Sequence, residues 1–458
     1  MRRSLCALAA VALAAGCTPP ETPPPAGASV TPPAAWRTQL PAGATVDAQW
    51  WQRFGDPVLT RLVEAALARN SDIGIAVARV REARAQETIA RAARLPTLSA
   101  GTSLTESRSV NALGQPGVGT SAQPVFQAAY EIDLFGRIAN QVEAARLSAE
   151  SAAAAADAAR LSVAAATASG YITLRGLDAR IAIARDTIAS RGEARRIARN
   201  RAEVGYTSEL ELRQAEAEYQ NVAQTLPTLE LAARRQEDAL AVLIGESPRA
   251  IERGATLATL QAPAIPATLP SELLRRRPDI AQAELTLAAS DATLAASRAA
   301  FLPSLNLAAS TGELFSSSLG SPVGIWSLGA SVLAPIFQGG RLRGGVEASA
   351  ARRDQAAFAY QRTVLTAFRE VEDALAAVDR LGEQQRRLEA QRVALAETLR
   401  HATNRYRAGY SPYLEQLDAQ RSLFNAQLAL AQARADQLTA LVVVYQSMGG
   451  GWAGTPTP

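Results

Sequence analysis

Phe126-Gln127-Ala128-Ala129-Tyr130-Glu131-Ile132-Asp133-Leu134 alternates with period two. Phe126, Ala128, Tyr130, Ile132 and Leu134 fall on one side of an extended chain. Gln127, Ala129, Glu131 and Asp133, small or charged, fall on the other. This is the pattern of a strand with one apolar face. Gly136-Arg137 then opens a stretch that runs to Val204 without a Pro. Within it Leu174, Leu177, Ile181, Ala184 and Ile188 are spaced 3, 4, 3, 4, the stripe of a coiled-coil helix. At 1.5 Å per residue a helix of about 68 residues is roughly 100 Å long.

The same frame occurs twice. Asn70-Ser71-Asp72-Ile73 matches Arg277-Pro278-Asp279-Ile280, and Leu95-Pro96-Thr97-Leu98 matches Leu302-Pro303-Ser304-Leu305, both at an offset of 207. Val142-Glu143-Ala144 matches Val346-Glu347-Ala348, and Val204-Gly205-Tyr206 matches Ala408-Gly409-Tyr410, both at 204. The change falls between the strands, where loops absorb insertions. In the second copy Trp326, Leu328, Ala330, Val332, Ala334 and Ile336 alternate with Ser327, Gly329 and Ser331. Thr97 to Thr105 and Ser304 to Thr311 are the weaker partner strands. Each strand is expected at about 9–11 residues, the length of a tilted transmembrane strand. Loops are expected around Gly114 to Ser121 and Glu313 to Gly324.

Each half therefore reads helix, strand, strand, very long helix, turn, helix. Asp56-Pro57 starts an opening helix that should run to Arg94. The second long helix spans Arg341 to Ala408, with Val364, Phe368, Val371, Leu375 and Val378 as its stripe. Gly205 and Gly409 end the two long helices. Ser208 with Glu211 forms a capping box for the next helix, and Ser411-Pro412 supply its N-cap and first residue in the second half. The expected organisation is residues 1–16 signal peptide, 17–35 lipidated Pro-rich tether, 36–262 first repeat, 263–448 second repeat and 449–458 tail. The three glycines before Trp452 should end the last helix.

Arg2 and Arg3 precede an apolar run, Leu5 to Ala15, too short to span a bilayer, which ends in small residues before Cys17. That resembles a bacterial lipoprotein signal, although Leu13 stands four residues before the Cys rather than three. An ordinary secretory signal is the other reading. Thr18 rather than Asp after Cys17 fits, by resemblance, sorting to the outer membrane. With Cys6 removed, the mature chain has no internal disulfide. No later apolar run could form a transmembrane helix, so a membrane crossing must use strands.

The 47 basic residues are all Arg and are interleaved with 43 acidic ones, which gives solvated helix faces rather than a nucleic-acid footprint. One His, no usable Cys, no zinc spacing and no phosphate loop argue against an enzyme, a metal site or a cofactor. Four amphipathic strands cannot close a barrel alone, and open edges are forbidden in lipid. The chain must oligomerise if they cross the membrane. A passive porin would hold more strand, and a coiled-coil scaffold would not need the strands at all.

Four motifs stand in order on this duplicated frame: Phe135-Gly136-Arg137, Leu274-Arg275-Arg276-Arg277-Pro278-Asp279-Ile280, Tyr413-Leu414 with Leu417-Asp418-Ala419-Gln420-Arg421-Ser422-Leu423, and Tyr445 with Gly449-Gly450-Gly451-Trp452. On them the whole mature chain resembles the TolC-like outer-membrane efflux channels, in their lipid-anchored, drug-efflux, NodT-type branch. It implies a mainly α fold with transmembrane β: a homotrimer whose twelve-stranded barrel continues into a twelve-helix periplasmic tube. It also implies a periplasmic adaptor and a proton-driven inner-membrane pump, with the channel as a passive, gated exit duct for drugs or other small toxic compounds. An exit duct for type I protein secretion shares the fold and is the rival reading. By the same resemblance Gly205, Tyr206, Thr207, Ser208, Gly409, Tyr410, Ser411 and Pro412 form the adaptor-binding tip. Leu414, Asp418 and Arg421 form a periplasmic gate, with Asp418–Arg421 contacts between chains as its latch. The bland alternatives are helix capping for the turns and an exposed i,i+3 pair for the latch. Arg275-Arg276-Arg277 reads as a solvated or capping cluster, and His401 as a surface residue.

Overall fold

The computed structural model describes residues 23, 25, 27–38, 47–110 and 114–452. Cys17 lies outside the described residues. After a 3-10 turn at Trp50–Phe54 come α1 (Pro57–Arg69), α2 (Ser71–Ala92), β1 (Thr97–Val110), β2 (Pro116–Ile132), α3 (Arg137–Glu203), α4 (Glu209–Ala223) and α5 (Thr225–Leu243). The second half gives α6 (Pro270–Arg276), α7 (Pro278–Ala299), β3 (Ser304–Ser316), β4 (Val323–Leu333), α8 (Arg341–Arg407) and α9 (Tyr413–Ser447). The long helices α3 and α8 have 67 residues each. Two compact units result, each drawing on both repeats: 1–29, 78–153 and 282–362 in one, 30–77, 154–281 and 363–458 in the other.

The first unit holds one antiparallel sheet in the order β1-β2-β3-β4. Residues directly opposed across antiparallel strands share a face. Leu98, Ala128, Ala309 and Leu328 form one row across all four strands. Ala100, Phe126, Thr311 and Trp326 form the next, and Ile132, Leu305 and Val332 another. The opposite face carries Ser99, Gln127, Ser310 and Ser327 in one row, and Glu131, Asn306 and Ser331 in another. The weak alternation of β1 and β3 thus resolves into two-dimensional order. The strands are longer than expected, with 14, 17, 13 and 11 residues. Gly114 to Ser121, read as loop, is strand from Pro116 onward, and β3 runs through Glu313 to Ser316. Gly117 and Gly119 hid this: they depress strand propensity, yet β1 pairs with both through Ser109 and Ser107. Ala334, Ile336 and Leu134 lie beyond the strand ends. In the same unit the Arg353 guanidinium donates to the Pro23 carbonyl at 2.6 Å and the Gln361 amide to that of Gly27 at 2.6 Å. The Pro-rich segment is thus fastened at two points.

The opening helix is two helices. Asn70 is extended, with ψ 133°. Its side-chain oxygen accepts from the amides of Asp72 (2.8 Å) and Ile73 (3.2 Å), and its nitrogen donates to the Leu243 carbonyl. Asn offers the backbone this local alternative to helix, so the break needs no Pro. At the equivalent site Arg277 is extended because Pro278 follows it. The repeated motif marks a helix break in both halves. The helix after the first tip turn is also interrupted, between Ala223 and Thr225. Pro227 in the next turn has no N–H to give to residue 223. Its counterpart α9 is continuous over 35 residues.

The core of the second unit gathers Trp50, Trp51, Phe54, Leu59, Tyr171, Leu240 and Tyr445. Trp50 and Tyr445 stack at 5.5 Å. Arg277 is not solvated: it is buried, pairs with Asp279 (2.6 Å) and Glu370 (2.8 Å), and donates to the Ser447 carbonyl. Gly449, Gly450 and Gly451 all have positive φ and turn the chain after α9. A Cβ at Gly449 would sit 1.9 Å from the Arg276 carbonyl oxygen. Gly449→Ala therefore combines left-handed strain with a backbone collision, and should cost roughly 3 kcal/mol. Calorimetry of the purified protein should show the melting temperature fall by several degrees, and an unchanged value would mean that the turn shifts freely.

Candidate functional site: two helical turns and the helices behind them

The site lies within the second unit, where α3 turns into α4 and α8 into α9. Gly205 (φ +74°) and Gly409 (φ +77°) are left-handed, a conformation costly for any residue with a Cβ. Tyr206 then donates its amide to Arg201 O at 2.8 Å, and Gly205 its own to Ala202 O at 3.0 Å. The second turn repeats this with Tyr410 to Arg405 O (2.9 Å) and Gly409 to Tyr406 O (3.0 Å). These paired bonds satisfy the final helix carbonyls. Tyr206 and Tyr410 are left 85% and 81% exposed. Thr207 and Ser411, at matching positions, each bury a hydroxyl oxygen without a partner.

The restarts differ. Ser208 Oγ accepts from the Glu211 amide at 3.3 Å, as an N-cap does. In the second turn the helix begins one residue later than expected. Pro412 is the N-cap, without a side-chain bond, and Tyr413 is the first helical residue. Glu211, expected as the returning half of a capping box, instead receives the Tyr406 hydroxyl and so ties the two turns together. The Tyr406 phenol is pushed up to about 12 by burial and by that carboxylate, so it remains a donor at neutral pH. Tyr406 and Tyr413 rings lie 5.5 Å apart, and Arg405 pairs with Glu415 at 3.3 Å. Ala198, Leu212, Ala215, Tyr413 and Leu417 form a small cluster behind the turns.

Leu414 and Asp418 are exposed on α9. The Asp418 side chain makes no ion pair or hydrogen bond among the described residues. Arg421 is committed inside its own chain: its Nε donates to Glu218 Oε2 at 2.6 Å. Glu218 is 1% exposed, and Arg191, 6% exposed, lies 3.9 Å from its other oxygen. Burial lowers the Arg191 pKa, and the Glu218 charge opposes that. Sequence reasoning missed Glu218 and Arg191. Glu218 was visible as a charge in the apolar stripe Leu212, Ala215, Val222. Comparing repeats gave no help, since the equivalent positions are Ser422 and Leu395. His401 is exposed on α8. Among the described residues no group of His, Cys, Asp and Glu is placed to hold a metal, and no helix is long and apolar enough to cross a membrane.

A sheet with one apolar face, two unpaired edges and two 67-residue helices leaving its strands defines the subunit of a β-barrel channel extended by helices. The outer membrane efflux protein family matches residues 62–246 and 269–450, one block in each repeat. A probable efflux pump outer membrane protein of Pseudomonas putida, TtgC, is 34% identical over 475 residues, covering 99% of this chain and 96% of the relative. The pyoverdine export outer membrane protein OpmQ of Pseudomonas aeruginosa is 34% identical over 449 residues, 94% of each chain. Among solved structures, the Campylobacter jejuni CmeC outer membrane channel aligns with TM-score 0.85 and 25% identity over 95% of both chains. The open-state MtrE channel of Neisseria gonorrhoeae aligns with TM-score 0.82 and 30% identity over 96% of this chain and 100% of the other. The chain belongs to the outer membrane efflux protein family. It is the outer-membrane channel component of a tripartite efflux system, a transport duct rather than an enzyme, with a large periplasmic portion.

Proposed function

We propose that three copies join β4 of one chain to β1 of the next, closing a twelve-stranded barrel over a twelve-helix periplasmic tube. The observation that carries this is the pair of unpaired edges on a sheet whose apolar and polar rows run unbroken from β1 to β4. In lipid those edges need partners. The apolar rows then face acyl chains and the Ser, Gln and Glu rows face the lumen. A lipidated Cys17 anchors each chain to the outer membrane. A proton-driven inner-membrane pump supplies the energy, and the cargo is small toxic compounds, the class to which the toluene and antibiotic pumps of the relatives point. Purified in detergent, the protein should run as a trimer; a stable monomer with no larger species would sink the reading.

The turns Gly205–Ser208 and Gly409–Pro412 dock the periplasmic adaptor. Two exposed tyrosines on rigid, doubly bonded turns are suited to this, because an aromatic anchor loses little side-chain entropy on burial. Tyr206→Ala with Tyr410→Ala should weaken cross-linking to the adaptor by about thirtyfold, equivalent to one interface hot spot of about 2 kcal/mol. Trimer stability should not change. Undiminished cross-linking would leave the turns as helix caps only. Leu414, Asp418 and Arg421 form the gate, with α9 lining the tapered end of the tube.

A further inference from the structure

Behind the turns, three helices meet along apolar seams, each interrupted once. On α3 the seam runs Ala184, Ile188, Arg191, Ala198; on α4, Leu212, Ala215, Glu218, Val222; on α9, Tyr413, Leu417, Gln420, Phe424. Arg191, Glu218 and Gln420 are 6%, 1% and 6% exposed. Each buries an atom that has no hydrogen-bond partner among the described residues: Arg191 Nε, Glu218 Oε1 and Gln420 Oε1. The Arg191–Glu218 separation of 3.9 Å is too long for a hydrogen bond. The interruption falls where two hydrophobic clusters separate. On one side lies the small cluster of Ala198, Leu212, Ala215, Tyr413 and Leu417. On the other, Ala184, Val222 and Phe424 belong to the main core, with Ile188 packed against it.

Such a layer is a poor way to gain stability. A buried ion pair is often matched or bettered by apolar residues of similar volume, and its best-attested use is to fix register or permit a switch. A continuous apolar seam resists opening in proportion to the area exposed. A layer with unsatisfied polar atoms takes up water as it opens and recovers hydrogen bonds it lacked when closed. We infer that Arg191, Glu218 and Gln420 form a built-in break that lets the tip cluster, with both turns, Leu414 and Asp418, move as one body when the channel opens. Glu218 is the positioning residue of this device, since it holds Arg421 at 2.6 Å in the present state. The inference rests on the gate reading above and adds the place where the helices yield.

The test uses the full-length trimer in detergent. Arg191→Leu, Glu218→Leu and Gln420→Leu together make the seam continuous; Gln420→Leu alone serves if the triple variant does not assemble. Amide hydrogen exchange at residues 203–212 and 407–417 should slow at least tenfold in the filled-seam variant, with melting temperature unchanged or higher. In bilayers, Asp418→Ala should raise conductance in the natural background and not in the filled-seam background. Unchanged exchange would overturn the inference. So would slowed exchange with Asp418→Ala opening both backgrounds equally, because the layer would then not be where opening occurs. If Asp418→Ala opens neither, the gate reading fails, and the exchange result alone decides for or against the layer.

Discussion

Asp418→Ala combined with Arg421→Ala should raise single-channel conductance in planar bilayers several-fold. Three exposed Asp418 carboxylates around a three-fold axis repel one another unless cations from neighbouring chains compensate them. On the gate reading proposed above, Arg421 of an adjacent chain supplies that charge through the guanidinium nitrogens its own Glu218 does not hold, and removing both members releases the contact. The structure separates the two substitutions. Among the described residues the Asp418 side chain has no partner in its own chain, so Asp418→Ala should open the channel without loss of melting temperature. Arg421 also compensates Glu218, which is buried and otherwise has only Arg191 at 3.9 Å. Removing one partner of a buried pair is costly, with an upper range of 3–5 kcal/mol. The value here should be about 2 kcal/mol, because Arg421 is 44% exposed and partly screened. Arg421→Ala should therefore both open and destabilise. Equal conductance for wild type and Asp418→Ala would remove Asp418 from the gate.

Asp56→Ala should be the most damaging single substitution outside the channel surface. Asp56 is 1% exposed and its carboxylate accepts four hydrogen bonds. Two come from the Val58 (2.8 Å) and Leu59 (3.4 Å) amides as the N-cap of α1, one from the Tyr171 hydroxyl (2.7 Å) and one from the Ala255 amide (2.8 Å). Tyr171 in turn accepts from the Gly254 amide at 2.9 Å. One side chain thus joins α1, the middle of α3 and the segment between the repeats. Loss of the cap costs about 1 kcal/mol, and orphaning a buried hydroxyl and a buried amide costs about 1–3 kcal/mol each, so about 4 kcal/mol is expected. That is a large fraction of ordinary stability. Asp56→Asn keeps one accepting oxygen and should cost less. A Cβ at Gly254 would lie 2.2 Å from Asp56 Oδ1, so Gly254→Ala should give a loss of the same kind from the opposite side. Thermal melting of the three variants checks the order, and a fall of under 1 kcal/mol for Asp56→Ala would show that water replaces the carboxylate.

Periodicity and local turn chemistry carried most of the architecture. The two long helices end within one residue of where Gly205 and Gly409 placed them, because a left-handed C-cap is a local requirement. The Asp56 cap was legible for the same reason, but its bonds to Tyr171 and Ala255 were not, since they join residues 115 and 199 positions away. The break at Asn70 was misread because an Asn can stop a helix or sit within one, and Leu243 across the core helps to decide which.

The sequence by itself determined the duplication, the strand faces, the long helices and the two turns, all of which follow from forces acting within a few residues. Tertiary structure alone decided that Arg421 binds Glu218, that Arg277 is buried, and that Arg191 lies beside the buried Glu218. The energy of a charge depends on its desolvation and on whatever else is buried beside it, and neither is set until distant helices have packed.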